Sequence, residues 1–118
     1  MNPHRLRPLV VLSIVAIGSA LVACVGTPIQ DHPCPPGGTT LTYENFGEAF
    51  FQDYCIRCHG GPNGYSSRSF TSLDSIRAES ARIFINAAGD NQFMPPGPDG
   101  PPQSERDELA DWLACGAP

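Results

Sequence analysis

The sequence predicts an all-α domain of about three main helices, and three observations carry that expectation. Apolar residues recur at helical spacing in three stretches, over residues 42–59, 72–88 and 104–115. Each stretch opens on a residue suited to capping a helix, Thr42, Ser72 or Ser104, and closes on a glycine, Gly60, Gly89 or Gly116. Loops rich in proline and glycine separate them, and no βαβ pattern is visible. A chain of 118 residues has room for one such domain.

The first two dozen residues are expected to lie outside it. Arg5 and Arg7 form a basic start, and Leu9 to Ala23 is an apolar run too short to span a membrane comfortably. The run ends Leu21-Val22-Ala23-Cys24, which resembles the lipobox of bacterial lipoproteins. That resemblance implies a signal peptide over 1–23, cleavage before Cys24 and lipidation of Cys24. An ordinary signal peptide or an uncleaved anchor is the plainer alternative. Several acyl chains on one residue would give a lasting anchor. Val25 is not the aspartate associated with inner-membrane retention, so the expected location is the periplasmic face of the outer membrane.

Residues 24–41 then read as a lipidated tether, extended rather than packed, because Val25 to Gly38 holds four prolines and three glycines. His32 in this segment is expected to be solvated. The predicted mature chain from Cys24 keeps five arginines and no lysine against twelve acidic residues, a formal charge of −7. That balance excludes nucleic acid and favours a partner with a basic or neutral docking face.

The domain is expected from residue 42 to 118. Its first helix starts at Thr42, with Glu44 in the turn where the helix dipole favours an acid. Phe46, Ala49, Phe50 and Tyr54 form its apolar stripe. Gly47 and Phe51 lie four apart on a neighbouring line. A mid-helix glycine costs about 1 kcal/mol relative to alanine, so Gly47 suggests the close approach of a second helix.

This helix runs into Cys55-Ile56-Arg57-Cys58-His59. A C-x-x-C-H run reads as a c-type haem attachment site. Two thiols on one helical turn can each add to a porphyrin vinyl group, and the adjoining histidine can serve as axial ligand to the iron. The alternatives are a thioredoxin-like dithiol, half of a zinc site completed singly by Cys34 and Cys115, or a chance spacing.

Residues 60–72 read as a loop around one haem edge, with Tyr65, Ser67 and Arg68 as candidate partners for its carboxylates or as ordinary solvated residues. Ser72 opens the second helix, in which Ile83 and Phe84 are candidates to line the haem cavity. Met94 follows in the rigid stretch Phe93-Met94-Pro95-Pro96. A core methionine seldom precedes two prolines, so its thioether is read as the second axial ligand; an open position or His32 are the alternatives. The last helix starts at Ser104, with Asp107 completing a capping box, and buries Leu109, Trp112 and Leu113.

With Cys24 assigned to lipid and Cys55 and Cys58 to haem, Cys34 and Cys115 remain. In an exported protein they are expected to form a disulfide, with two free thiols the alternative.

Taken together, residues 43–115 resemble class I cytochrome c, the small monohaem electron carriers. The resemblance rests on Gly47-x-x-x-Phe51-x-x-x-Cys55-x-x-Cys58-His59, on Met94-Pro95, and on Leu109-Ala110-Asp111-Trp112-Leu113. It implies a cytochrome c-like fold, three main helices wrapped around one covalent haem c, with first and last helices packed through Gly47, Phe51 and Trp112. It also implies a Gly61-Pro62 turn whose proline carbonyl orients His59. Electron transfer between redox proteins of the envelope, not catalysis, is the implied activity. Two rivals are a haem enzyme or gas sensor with an open axial position, and a haem-free docking lipoprotein held by disulfides or zinc.

Overall fold

A computed structural model describes residues 26–62 and 64–118. Cys24 and the signal peptide expected over residues 1–23 lie outside the described residues. The fold is all-α, with no strand among the described residues. Its helices are α1 (Glu48–Tyr54), α2 (Ile56–His59), α3 (Leu73–Ala78), α4 (Ser80–Ala87) and α5 (Gln103–Ala114). None is long and apolar enough to cross a membrane.

The first helical stretch starts where the sequence puts it. The Thr42 hydroxyl accepts from the Asn45 N–H at 3.2 Å, and the Asn45 side chain accepts from the Thr42 N–H at 2.7 Å. This reciprocal cap satisfies two donors that the helix start would otherwise orphan. Glu44, fully exposed beside it, has its carboxyl held below the ordinary range by its own amide and by the Thr42 hydroxyl. A π-helical turn over Tyr43–Gly47 leads into α1. The buried stripe runs Phe46, Gly47, Phe50 and Phe51, whereas Ala49 is exposed.

Gly47 has an ordinary helical backbone, φ −57° and ψ −48°. What demands glycine is space, because a Cβ there would stand 2.8 Å from Cζ2 and 2.9 Å from Cη2 of Trp112. First and last helices therefore meet at this point, through the Gly47, Phe51 and Trp112 that the resemblance implies. Trp112 is fully buried, packs edge-on against Phe46 and tilted against Phe51, and donates from Nε1 to a Pro118 main-chain oxygen at 3.2 Å. The Tyr43 N–H donates to the same oxygen at 2.8 Å.

The second helical stretch is capped reciprocally by Ser72 and Ser75 and divided at Glu79 into α3 and α4. It stops as expected at Gly89, whose φ of +57° is a left-handed conformation that glycine adopts without strain. The third helix begins earlier than predicted. Pro102, with a fixed φ of −63° and an extended ψ of 160°, occupies the cap position, so Ser104 is already helical and caps nothing. Asp107 accepts instead from the Gln103 side chain at 2.8 Å.

The largest departure concerns the expected tether. Over its described part, residues 26–41, this segment is docked on the domain. Ile29 to Asp31 forms a single 3-10 turn against α4 and α5, and Ile29 packs on the core. Asn91, 6% exposed, pairs with both main-chain groups of Thr27, accepting at 2.8 Å and donating at 2.9 Å. His32 is not free in solvent: its Nε2 sits 2.8 Å from Asp111 Oδ1 and its ring lies on Phe84. Cys34 and Cys115 form a disulfide across a sequence separation of 81 residues, fastening the segment to the end of α5.

Candidate functional site

After Phe50 and Phe51 the helix is interrupted at Cys55, at φ −116° and ψ −41°, and α2 follows directly. The junction holds together because Cys55 O accepts from both the Cys58 N–H at 3.1 Å and the His59 N–H at 2.8 Å. It presents Cys55, Cys58 and His59 to one cavity of about 270 Å³. Ile83 and Ala87 of α4 line the same cavity, as do Met94, Pro95 and Pro96. Phe50, Tyr54 and Phe70 add aromatic surface, and no carboxylate is among the lining residues.

His59 is fixed from two directions. Its Nδ1 lies 3.0 Å from the Arg68 carbonyl, and its ring stacks on Phe70 with centroids 4.3 Å apart and planes 19° from parallel. With Nδ1 engaged as donor, Nε2 is the nitrogen left for a metal. The orienting carbonyl is thus Arg68's, not the Pro62 carbonyl that the resemblance implies. Pro62 is exposed and lines a separate hollow in the glycine- and serine-rich loop, together with Tyr65 and Ser67. The loop closes through a Phe70 N–H to His59 carbonyl bond of 2.9 Å, which swings Arg68 rather than Pro62 back over the histidine.

Cys55 and Cys58 are free thiols. Burial, with Cys58 adding to it, pushes the Cys55 thiol up to about 12. A dithiol oxidoreductase needs the opposite, a thiolate formed near neutral pH. The zinc alternative loses its other two ligands, since Cys34 and Cys115 are bonded to each other.

Of the other candidate residues, Ile83 lines the cavity as expected, but Phe84 does not. The period of α4 turns Phe84 to the opposite side, where it is buried under His32. Gly47, Phe51 and Trp112 stand behind the cavity in the core, with Phe51 packed edge-on against Phe70. Arg68 lines the cavity, and its Nη1 already bonds both carboxylate oxygens of Glu79 at 2.9 and 3.0 Å. Arg57 and Arg82 also line it and were not singled out by the sequence, because a lone arginine on a helix reads as a solvated residue.

These residues fit a covalently attached haem. Two unpaired thiols one helical turn apart, an imidazole with one nitrogen engaged and a thioether share a carbon-rich cavity. Arg57 of the lining has the charge to suit the carboxylates such a group carries, whereas Arg68 and Arg82 are both paired with Glu79. No protein family, curated protein or solved structure matches this chain, and its function is inferred from the residues of this cavity.

Proposed function

We propose that this protein is an electron carrier, a monohaem c-type cytochrome similar in fold to class I cytochrome c and held in the bacterial envelope by a lipid on Cys24. The observation that carries the reading is the convergence of Cys55, Cys58, His59 and Met94 on one apolar cavity, although Met94 arrives 35 residues after His59. Bound there, haem supplies a one-electron Fe(III)/Fe(II) couple.

The chain's own residues would do the rest. Cys55 and Cys58 would hold the macrocycle through thioether bonds, and His59 and Met94 would supply the two axial ligands. The Arg68 carbonyl makes His59 a better donor and fixes its ring, with Phe70 stacked on one face. If His59 and Met94 both ligate the iron, the protein leaves no position for a substrate, which favours a carrier over an enzyme. His32 is bonded to Asp111 and does not line the cavity, so it supports neither axial ligation nor acid–base chemistry there. Partners would be redox proteins with a basic or neutral docking face, met briefly through a small contact area.

The test is Met94→Ala in protein produced with haem-maturation enzymes. The variant should keep its covalent haem, lose the weak red absorption band of methionine-ligated ferric iron, and bind carbon monoxide when reduced. A wild-type protein that already binds carbon monoxide would instead indicate the sensor or enzyme reading.

A further inference from the structure

Arg106 occupies a position on α5 that faces the core, alongside Leu109, Ala110 and Leu113, and it is 5% exposed. Among the described residues no carboxylate pairs with it. A buried charge is costly unless its donors are satisfied, and an apolar side chain would fill that place at less cost. Every hydrogen bond of the guanidinium goes to a main-chain carbonyl, through Nη1 and Nε. Nη1 donates to Ala87 at 2.8 Å, Met94 at 2.9 Å and Asn91 at 3.2 Å, while Nε donates to Pro101 at 3.3 Å. All four carbonyls belong to residues 87–101, the segment centred on Met94. The main chain of Arg106 adds a fifth tie, accepting from the Gly89 N–H at 2.8 Å. Gly100 makes room for the fork, since a Cβ there would stand 2.9 Å from Nη2.

We propose that Arg106 is the positioning residue of the Met94 ligand, holding the 87–101 segment so that the thioether stays on the cavity. This rests on the axial role given to Met94 above. The planar guanidinium holds the segment at two points, Nη1 among the Ala87, Asn91 and Met94 carbonyls and Nε at Pro101. Lysine keeps the charge, but its shorter side chain carries a single nitrogen and so loses the Pro101 bond and the planar geometry.

The experiment uses the full chain matured with haem, as wild type, Arg106→Lys and Arg106→Met. Both variants should keep covalent haem, lose the red methionine band and bind carbon monoxide when reduced. Amide exchange over residues 88–101 should quicken roughly tenfold to hundredfold, as expected for lost hydrogen bonds to a charged group, with α1 unchanged. A folded Arg106→Lys protein that keeps the band, refuses carbon monoxide and exchanges like wild type overturns the proposal. If Arg106→Met does not fold, Arg106→Lys alone decides. If wild-type protein carries no haem, the carrier reading fails, and the exchange comparison on the haem-free proteins decides whether Arg106 holds the segment.

Discussion

Replacing Gly47 with alanine tests the junction of first and last helices through the sign of its effect. In an exposed helix the change stabilises by about 1 kcal/mol, because glycine has more backbone freedom to lose. Here the added carbon would stand 2.8 and 2.9 Å from two Trp112 ring atoms and 3.1 Å from Tyr43 Cδ2. Carbon atoms pack best at about 3.5–4.0 Å, so something must move. Trp112 has little room to retreat: it is fully buried, packed on Phe46 and Phe51, and bonded through Nε1. Overpacking of this kind costs about 1–3 kcal/mol. After the helix gain is subtracted, a net loss of up to about 2 kcal/mol remains, and each 1 kcal/mol lowers Tm by about 4–8 °C in a domain of this size.

Denaturant and thermal unfolding followed by circular dichroism would measure it. Trp112→Phe removes the two ring atoms in question, so Gly47→Ala made in that background should become neutral or stabilising, a coupling of about 1–3 kcal/mol. A Gly47→Ala protein more stable than wild type, or two costs that merely add, would refute the close packing.

The remaining predictions concern the ends of the domain. Cys34→Ser with Cys115→Ser opens a loop closed across 81 residues, and the chain-entropy relation puts the loss at about 4 kcal/mol; an unfolding midpoint unaffected by the change or by reductant would count against the bridge. Thr42→Ala removes one half of the reciprocal cap with Asn45 and should cost about 1 kcal/mol in chemical unfolding. Glu44 has its carboxyl held below the ordinary range in the folded state. It therefore contributes stability above that range and loses the contribution as pH falls through the folded value. Glu44→Gln should be less stable than wild type at pH 7 and equal to it in strong acid; a difference that persists into acid would contradict the assignment.

What the sequence revealed and what it hid follow from the range of the interactions involved. Thr42, Ser72 and Gly89 act on groups a few residues away, and their roles were legible. Gly47 was legible for a different reason, since a glycine in mid-helix needs an external cause, and the resemblance to class I cytochrome c named Trp112 as that cause. The docked segment was not legible, because proline- and glycine-rich chain has no periodicity. Its contacts span 64 residues from Thr27 to Asn91 and 79 from His32 to Asp111. Backbone partners are equally silent, because any residue has a carbonyl; nothing marked Arg68 over Pro62 as the one to hold His59. Arg106 was missed because a charge beside Glu105 and Asp107 reads as solvated, whereas α5 turns it inward onto four carbonyls.

The most direct measurement is the mass and the oxidised and reduced absorption spectra of mature protein produced with haem-maturation enzymes. One haem that survives denaturation, with thioether bonds lost in Cys55→Ala plus Cys58→Ala and a red band lost in Met94→Ala, is the result this account predicts. A folded protein of unmodified mass, with no covalent haem, would contradict it.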